Sequence, residues 1–153
     1  LNMKKICFLS SSGGHLEQLI MLKPIMQKNN SFIVTEEGEH TQRLGERSYY
    51  LKQINRREIS FLPKMILNTI KSLSIYIKEK PQIIICTGAL STVPFCLLSK
   101  LFNSKLIFIE SFAKVYTCSL TGRFLYLFAD EFYVQWEEML EIYPKAKFKG
   151  GIY

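Results

Sequence analysis

The chain enters its first apolar run at Lys5-Ile6-Cys7-Phe8-Leu9-Ser10-Ser11-Ser12-Gly13-Gly14-His15, and the rest of the sequence repeats what this segment begins. Residues 5–10 carry no charged interruption after Lys5, as a strand buried on both faces does. The run stops at small polar residues and two glycines. A helical pattern follows, with Leu16, Leu19, Ile20 and Leu22 ahead of Pro24. Strand, glycine turn and helix in this order form the opening unit of a parallel sheet.

The same alternation continues outward. Strands are expected at 31–35, 49–54, 82–86, 105–110, 131–135 and 145–149. Helices are expected at 41–47, 60–80, 93–102, 120–129 and 137–143. Ser60 is the expected N-cap of the long helix, Pro63 is tolerated in its first turn, and Pro81 stops it. The fold class is therefore α/β: a Rossmann-like open parallel sheet with helices on both faces. No internal repeat or low-complexity tract divides the 153 residues, so 1–153 reads as one domain. Leu1-Asn2 ahead of Met3 reads as an addition to the natural start.

Composition narrows the function classes. With 48% hydrophobic and 22% charged residues the chain is globular rather than disordered. No apolar run reaches the ~20 residues of a spanning helix. The cysteines Cys7, Cys86, Cys96 and Cys118 lack CxxC spacing and sit mostly in apolar surroundings, as buried free thiols do. The net charge of +7 points to an anionic partner. Residues 49–80 hold seven basic side chains against Glu58 and Glu79, a local balance of +5. Without a recognition motif or a basic-aromatic repeat, nucleic acid is not the expected partner.

Three loops carry chemistry, each at the carboxyl end of a strand, where open α/β sheets bind ligands. In the first, Ser12, Gly13 and Gly14 let a ligand approach the backbone, and His15 sits in the first helical turn. There the helix dipole disfavours an imidazolium, as a general base requires. Packing or capping of the turn is the alternative role for His15. The loop is not GxGxxG, and only Glu36 stands near the place of a ribose-binding acid. The second loop, Cys86-Thr87-Gly88-Ala89-Leu90-Ser91-Thr92-Val93-Pro94, offers Thr87 and Gly88; simple turn chemistry, with Thr92 as N-cap, is the alternative. The third begins at Glu110-Ser111. A carboxylate there can bind sugar hydroxyls or position a base, or be only a solvated strand end.

At these loops the sequence resembles a known family. SSSGGH, CTGALSTVP, and IFIESFAKV followed by SLTGRFLYLFADEFYVQ are similar to the N-terminal half of the glycosyltransferase that forms lipid II. They are still more similar to split enzymes of the GT-B fold. One is the membrane-side subunit of the dolichol-linked N-acetylglucosaminyltransferase. Others are the bacterial capsule and exopolysaccharide accessory subunits, enhancers of a β-1,4-galactosyltransferase. Ser10-Ser11 replaces the upstream glycine pair of the one-chain enzyme. The resemblance implies an acceptor-side half that binds a lipid-linked saccharide and works only with a separate donor-binding glycosyltransferase subunit. PKAKFKGGIY matches the place where the one-chain enzymes enter their linker. By the same resemblance Ser12, Gly13, Gly14, Thr87, Gly88 and Ser111 bind acceptor, and His15 and Glu110 are the catalytic candidates. It implies no cofactor and no metal. A stand-alone Rossmann-type nucleotide-binding module or small enzyme is the alternative.

A lipid-linked acceptor implies attachment to an anionic membrane, on the cytoplasmic side of the plasma membrane. On a helical wheel of 60–80, Phe61, Leu62, Met65, Ile66, Ile70, Leu73, Tyr76 and Ile77 share one half-turn, and Lys64, Lys71 and Lys78 lie opposite. The expectation is that the apolar arc covers the sheet while the lysines face the membrane. Phe95 and Leu98, in the apolar stretch 93–102, are expected to face it too.

Overall fold

The computed structural model describes residues 3–38, 44–45 and 47–153. Seven strands form one parallel sheet in the order β3-β2-β1-β4-β5-β6-β7. They are β1 (Lys5–Leu9), β2 (Asn30–Glu36), β3 (Ser48–Leu51), β4 (Ile83–Cys86), β5 (Lys105–Ile109), β6 (Glu131–Val134) and β7 (Lys147–Phe148). The order reverses between β1 and β4, which places the ligand crevice beyond their carboxyl ends. Their register is fixed by Cys7 opposite Ile84 and Leu9 opposite Cys86.

The two-residue side-chain period of a strand feeds two cores. From β1, Cys7 and Leu9 join Phe32, Ile84, Phe95, Phe108 and Tyr76 on one face. Ile6 and Phe8 join Leu16, Leu19 and Ile85 on the other. The second face is covered by α1 (Gly14–Ile20) and α2 (Lys23–Gln27), the first by α3 (Phe61–Glu79), α4 (Val93–Leu101) and α5 (Leu120–Leu125). Three of the four cysteines are fully buried and free, and burial pushes the Cys7 and Cys96 thiols up. No helix among the described residues is long and apolar enough to cross a membrane.

Several expected elements shift. The helix expected at 41–47 lies largely outside the described residues. Pro24 does not end the helical region but enters the first turn of α2, where its missing N–H costs nothing. β3 stops at Leu51, α5 stops at Leu125, and 137–143 holds a short 3₁₀ turn at Glu137–Leu140. Ser60 does not cap α3 through its side chain; its hydroxyl donates to Glu58 (3.2 Å) instead. Thr92 likewise makes no side-chain cap, donating to the Ala89 carbonyl.

The largest correction concerns α3. Five of the eight residues of its apolar arc face water: Leu62, Ile66, Ile70, Leu73 and Ile77 are all exposed. The helix buries Asn68, Ser72, Ile75, Tyr76 and Glu79 instead. Asn68 is there because its amide closes two hydrogen bonds with the backbone of Lys52, 2.7 and 2.8 Å, tying α3 to the end of β3. Glu79 meets Lys5 at 2.7 Å, Arg47 at 3.1 Å and the Tyr49 hydroxyl. Burial alone would raise its carboxyl, but Lys5, Tyr49 and Arg47 together hold it below the usual range. A buried polar group is tolerated when partnered, and for Asn68 and Glu79 the partners outrank the hydrophobic pattern. Phe95 is fully buried, so it does not face a membrane, and Leu98 is half-buried against the same core. Phe95 is held by Tyr76, their ring centres 5.2 Å apart. Lys64 pairs with Glu58 at 2.6 Å, Lys71 is exposed, and the Lys78 ammonium sits 5.5 Å over the Tyr49 ring.

Candidate functional site

The crevice at the β1/β4 switch is closed by contacts between the first two loops. The Ser11 amide donates to the Gly88 carbonyl (2.6 Å) and the Thr87 hydroxyl to the His15 carbonyl (2.8 Å). His15 Nδ1 lies 2.7 Å from the Thr87 carbonyl. A carbonyl only accepts, so Nδ1 carries the proton and a neutral ring keeps its lone pair on Nε2. Gly88 has φ +99°, and a Cβ there would sit 3.2 Å from the imidazole, so glycine gives the ring its room. Gly13 and Gly14 are exposed, and a Cβ at either would meet nothing within 4 Å. The first loop thus presents two open glycines beside an imidazole of defined orientation.

The other expected residues stand behind this rim. Thr87 is fully buried as the strut between the loops. Ser12 donates its amide and hydroxyl to Glu36 Oε2, 3.2 and 2.9 Å. Ser111 is buried, and its hydroxyl accepts the Ala113 amide (3.3 Å), turning the third loop.

Glu110 is neither a solvated strand end nor a rim carboxylate. It is 1% exposed. Oε1 accepts from the Ser111 amide (2.9 Å) and the Ser119 hydroxyl (2.8 Å); Oε2 accepts from the Ser119 amide (3.2 Å) and the Tyr143 hydroxyl (2.9 Å). Burial, followed by the adjacent carboxylate, raises the Tyr143 phenol far above its ordinary value. Ser119 also caps α5 by accepting the Gly122 amide. A Cβ on Gly122 would be driven into the Glu110 carboxylate. Glu110 therefore pins loop 111–119 to α5 rather than facing a ligand.

A cleft of about 710 Å³ opens beyond the strand ends, within the size range of small-molecule sites. Glu36 and Ser11 line its floor, Asn55, Arg56 and Glu58 one wall, Ala89 and Leu90 the second loop, and Lys114, Ser119 and Leu120 the other wall. Glu36 is 5% exposed, yet among the described residues its Oε1 has no partner. Neither Arg56 nor Lys114 has a carboxylate partner among them. A cation on each wall, Arg56 and Lys114, over a floor carboxylate suits a ligand with both phosphate and hydroxyl groups. No His, Cys, Asp and Glu side chains converge into a metal-holding set among the described residues.

Arg56, Lys114 and the 53–58 wall were missed as site residues. Arg56 was legible only as part of the basic segment, and Glu36 only as a dinucleotide acid. Nothing in the sequence shows that loops sixty residues apart meet across the β1/β4 crevice.

The fold has solved neighbours. MurG of Acinetobacter baumannii superimposes with a TM-score of 0.71 at 14% identity over 88% of the chain. A UDP-N-acetylglucosamine 2-epimerase of Rickettsia bellii gives 0.75 at 13% identity over 99%. The chain spans less than half of either structure, 42% and 46%. In sequence it is 28% identical over 172 residues to the UDP-N-acetylglucosamine transferase subunit ALG14 of Yarrowia lipolytica, covering 95% of the chain and 80% of that protein. The human protein of the same name is 32% identical over 116 residues, covering 68% and 54%. These names speak of N-acetylglucosamine transfer, so the capsule and exopolysaccharide setting, with galactose as the sugar, takes no support from them. The family model for the oligosaccharide biosynthesis protein Alg14-like matches residues 6–152, and the chain belongs to that family.

Proposed function

We propose that the chain is the acceptor-side subunit of a two-chain glycosyltransferase. It binds a lipid-linked saccharide phosphate and presents it, at the cytoplasmic membrane surface, to a donor-binding partner that carries UDP-N-acetylglucosamine. The observation that supports this most is the cleft, where Arg56 and Lys114 stand above Glu36 without carboxylate partners among the described residues. Phosphate oxygens satisfy the cations, and a sugar hydroxyl satisfies the open oxygen of Glu36. The relatives named as transferase subunits supply the partner and the donor in this reading.

His15 is the proposed base. Its Nδ1 anchor on Thr87 leaves Nε2 to take the proton of the acceptor hydroxyl. Gly13 and Gly14 sit beside it as the backbone surface for the acceptor. The glycan to which the acceptor belongs is read from a panel of lipid-linked saccharides in the same assay.

Reconstitution with the donor-binding partner tests the reading. Sugar transfer is expected only when both chains are present, and calorimetry of the isolated chain with UDP-N-acetylglucosamine is expected to show no binding. Micromolar binding at one site on the isolated chain overturns it in favour of a stand-alone nucleotide module. His15→Asn keeps a donor toward Thr87 but lacks Nε2, so transfer falls by ~10²–10⁴-fold; a loss under threefold removes the base role.

A further inference from the structure

Leu62, Ile66, Ile70, Leu73 and Ile77 repeat along α3 at steps of four, four, three and four, and are 38–66% exposed. That spacing makes one continuous stripe. The stripe has a definite place. On its inner margin Tyr76 stacks on Phe102 at the end of α4, ring centres 5.0 Å apart. The lysine strip lies on the far side, where Lys78 reaches Tyr49 of β3. The stripe therefore runs along α4, whose Leu101 is exposed, and α4 in turn packs beside α5, with Phe124 and Leu127 exposed. Three neighbouring helices on one face of the sheet thus share an apolar outer surface, edged by Lys71 and Lys78.

We propose that the outer face of α3, α4 and α5 lies flat on an anionic lipid bilayer, with Lys71 and Lys78 at the headgroups and the α3 stripe among the upper acyl carbons. Charge selects this occupant. A second copy docked face to face would present the same apolar and basic surface and so bring no added negative charge to the lysines, because a two-fold interface repeats the same patch. An anionic surface attracts both lysines, and an exposed apolar surface of this breadth marks an interaction site. Lys64 adds little, being paired with Glu58. The placement also explains how an acceptor would arrive. Ile59, fully exposed, and Leu62 lead from the stripe to the wall of Arg56 and Glu58, and Leu120 both lines the cleft and starts α5. A hydrocarbon rooted in the bilayer reaches the cleft rim along apolar side chains. That route rests on the lipid-linked acceptor proposed above; the docking face does not.

Flotation with phosphatidylglycerol/phosphatidylcholine vesicles tests the face. The wild-type chain binds at low salt, and binding weakens without vanishing at 1 M salt, because charge is screened and apolar insertion is not. Lys71→Gln with Lys78→Gln lowers low-salt affinity roughly thirtyfold. Ile66→Gln with Ile70→Gln lowers it about a hundredfold and removes the salt-resistant part. These side chains are exposed, so circular dichroism melting stays close to that of the wild type, with Lys78→Gln giving up only its contact over the Tyr49 ring. Ile25→Gln, exposed on α2 across the sheet, leaves binding intact. A wild-type chain that ignores the vesicles overturns the proposal, as do α3 variants that bind like wild type. So do α3 variants that lose a co-purifying protein while still binding vesicles. Transfer to a short-chain acceptor in solution separates the two readings. If the reconstituted pair transfers sugar there but ignores vesicles, the docking face fails alone; if the chain binds vesicles and no transfer occurs, the glycosyltransferase reading fails alone.

Discussion

Glu36 and Glu110 stand at the carboxyl ends of two strands of the same sheet, β2 and β5, both are almost fully buried, and they do opposite things. Glu110 accepts hydrogen bonds on both oxygens from four donors of the chain itself. Among the described residues Glu36 receives both of its bonds on one oxygen, from Ser12, and the residue lines the cleft. The difference is one of remaining valence. A carboxylate with every lone pair engaged is part of the scaffold; one with an open oxygen beside free cations is available to a ligand. Burial alone does not separate the two.

Removing the saturated carboxylate should have the largest effect, and on folding. Glu110→Ala leaves the Tyr143 hydroxyl and the Ser119 amide and hydroxyl without acceptors, at a cost of about 3 kcal/mol or more. Urea unfolding measures it. A variant that unfolds at the wild-type midpoint but loses transfer would make Glu110 functional and break the comparison. Gly122→Ala strikes the same contact from the other side. Its Cβ meets the Glu110 carboxylate, so about 1–3 kcal/mol of stability is lost, read in the same titration.

Glu36→Gln should leave the urea midpoint within ~0.5 kcal/mol of stability. In the reconstituted pair the KM for the lipid-linked acceptor should rise about ten- to a hundredfold, the worth of a hydrogen bond to a charged group. An unchanged acceptor KM would put Glu36 in the scaffold beside Glu110.

Glu131 supplies the smallest effect and a third kind of carboxylate, one set among surface cations. Lys105 first, then the Tyr133 hydroxyl and Lys147, hold its carboxyl down at about 2. A depressed folded value stabilises the fold above the unfolded value of ~4.3, and that contribution is lost as pH falls toward about 2. Surface pairs are worth under about 1 kcal/mol. The stability gap between wild type and Glu131→Gln should therefore be small at pH 7 and close between pH 5 and 2. A gap that widens with acid would reverse the sign.

How much was legible in the sequence differs between elements. β1, β4 and β5 were plain because a strand buried on both faces needs an unbroken apolar run, and local sequence carries that fully. The glycine loops were legible as loops, since turn chemistry is local too. Within them the roles were not: Thr87, Ser111 and Glu110 look like ligand groups until their partners, Ser119, Tyr143 and the His15 backbone, are brought alongside. Lys114 and Arg56 belong to one cleft only because β3 and β5 are strands of one sheet, on opposite sides of the β1/β4 reversal.

α3 draws the boundary most clearly. Its residues alone determined that a long helix forms, that it stops at Pro81, and that its apolar and lysine strips lie apart. Which strip meets the sheet was decided by contacts between distant segments. Asn68 closes two hydrogen bonds with Lys52, and Glu79 gathers Lys5, Arg47 and Tyr49. Those polar groups could be buried only with partners from β1, from β3 and from the residues just before and just after β3, and satisfying them turned the apolar stripe outward. A wheel records which side chains share a face; it holds no record of what the rest of the fold presents to that face.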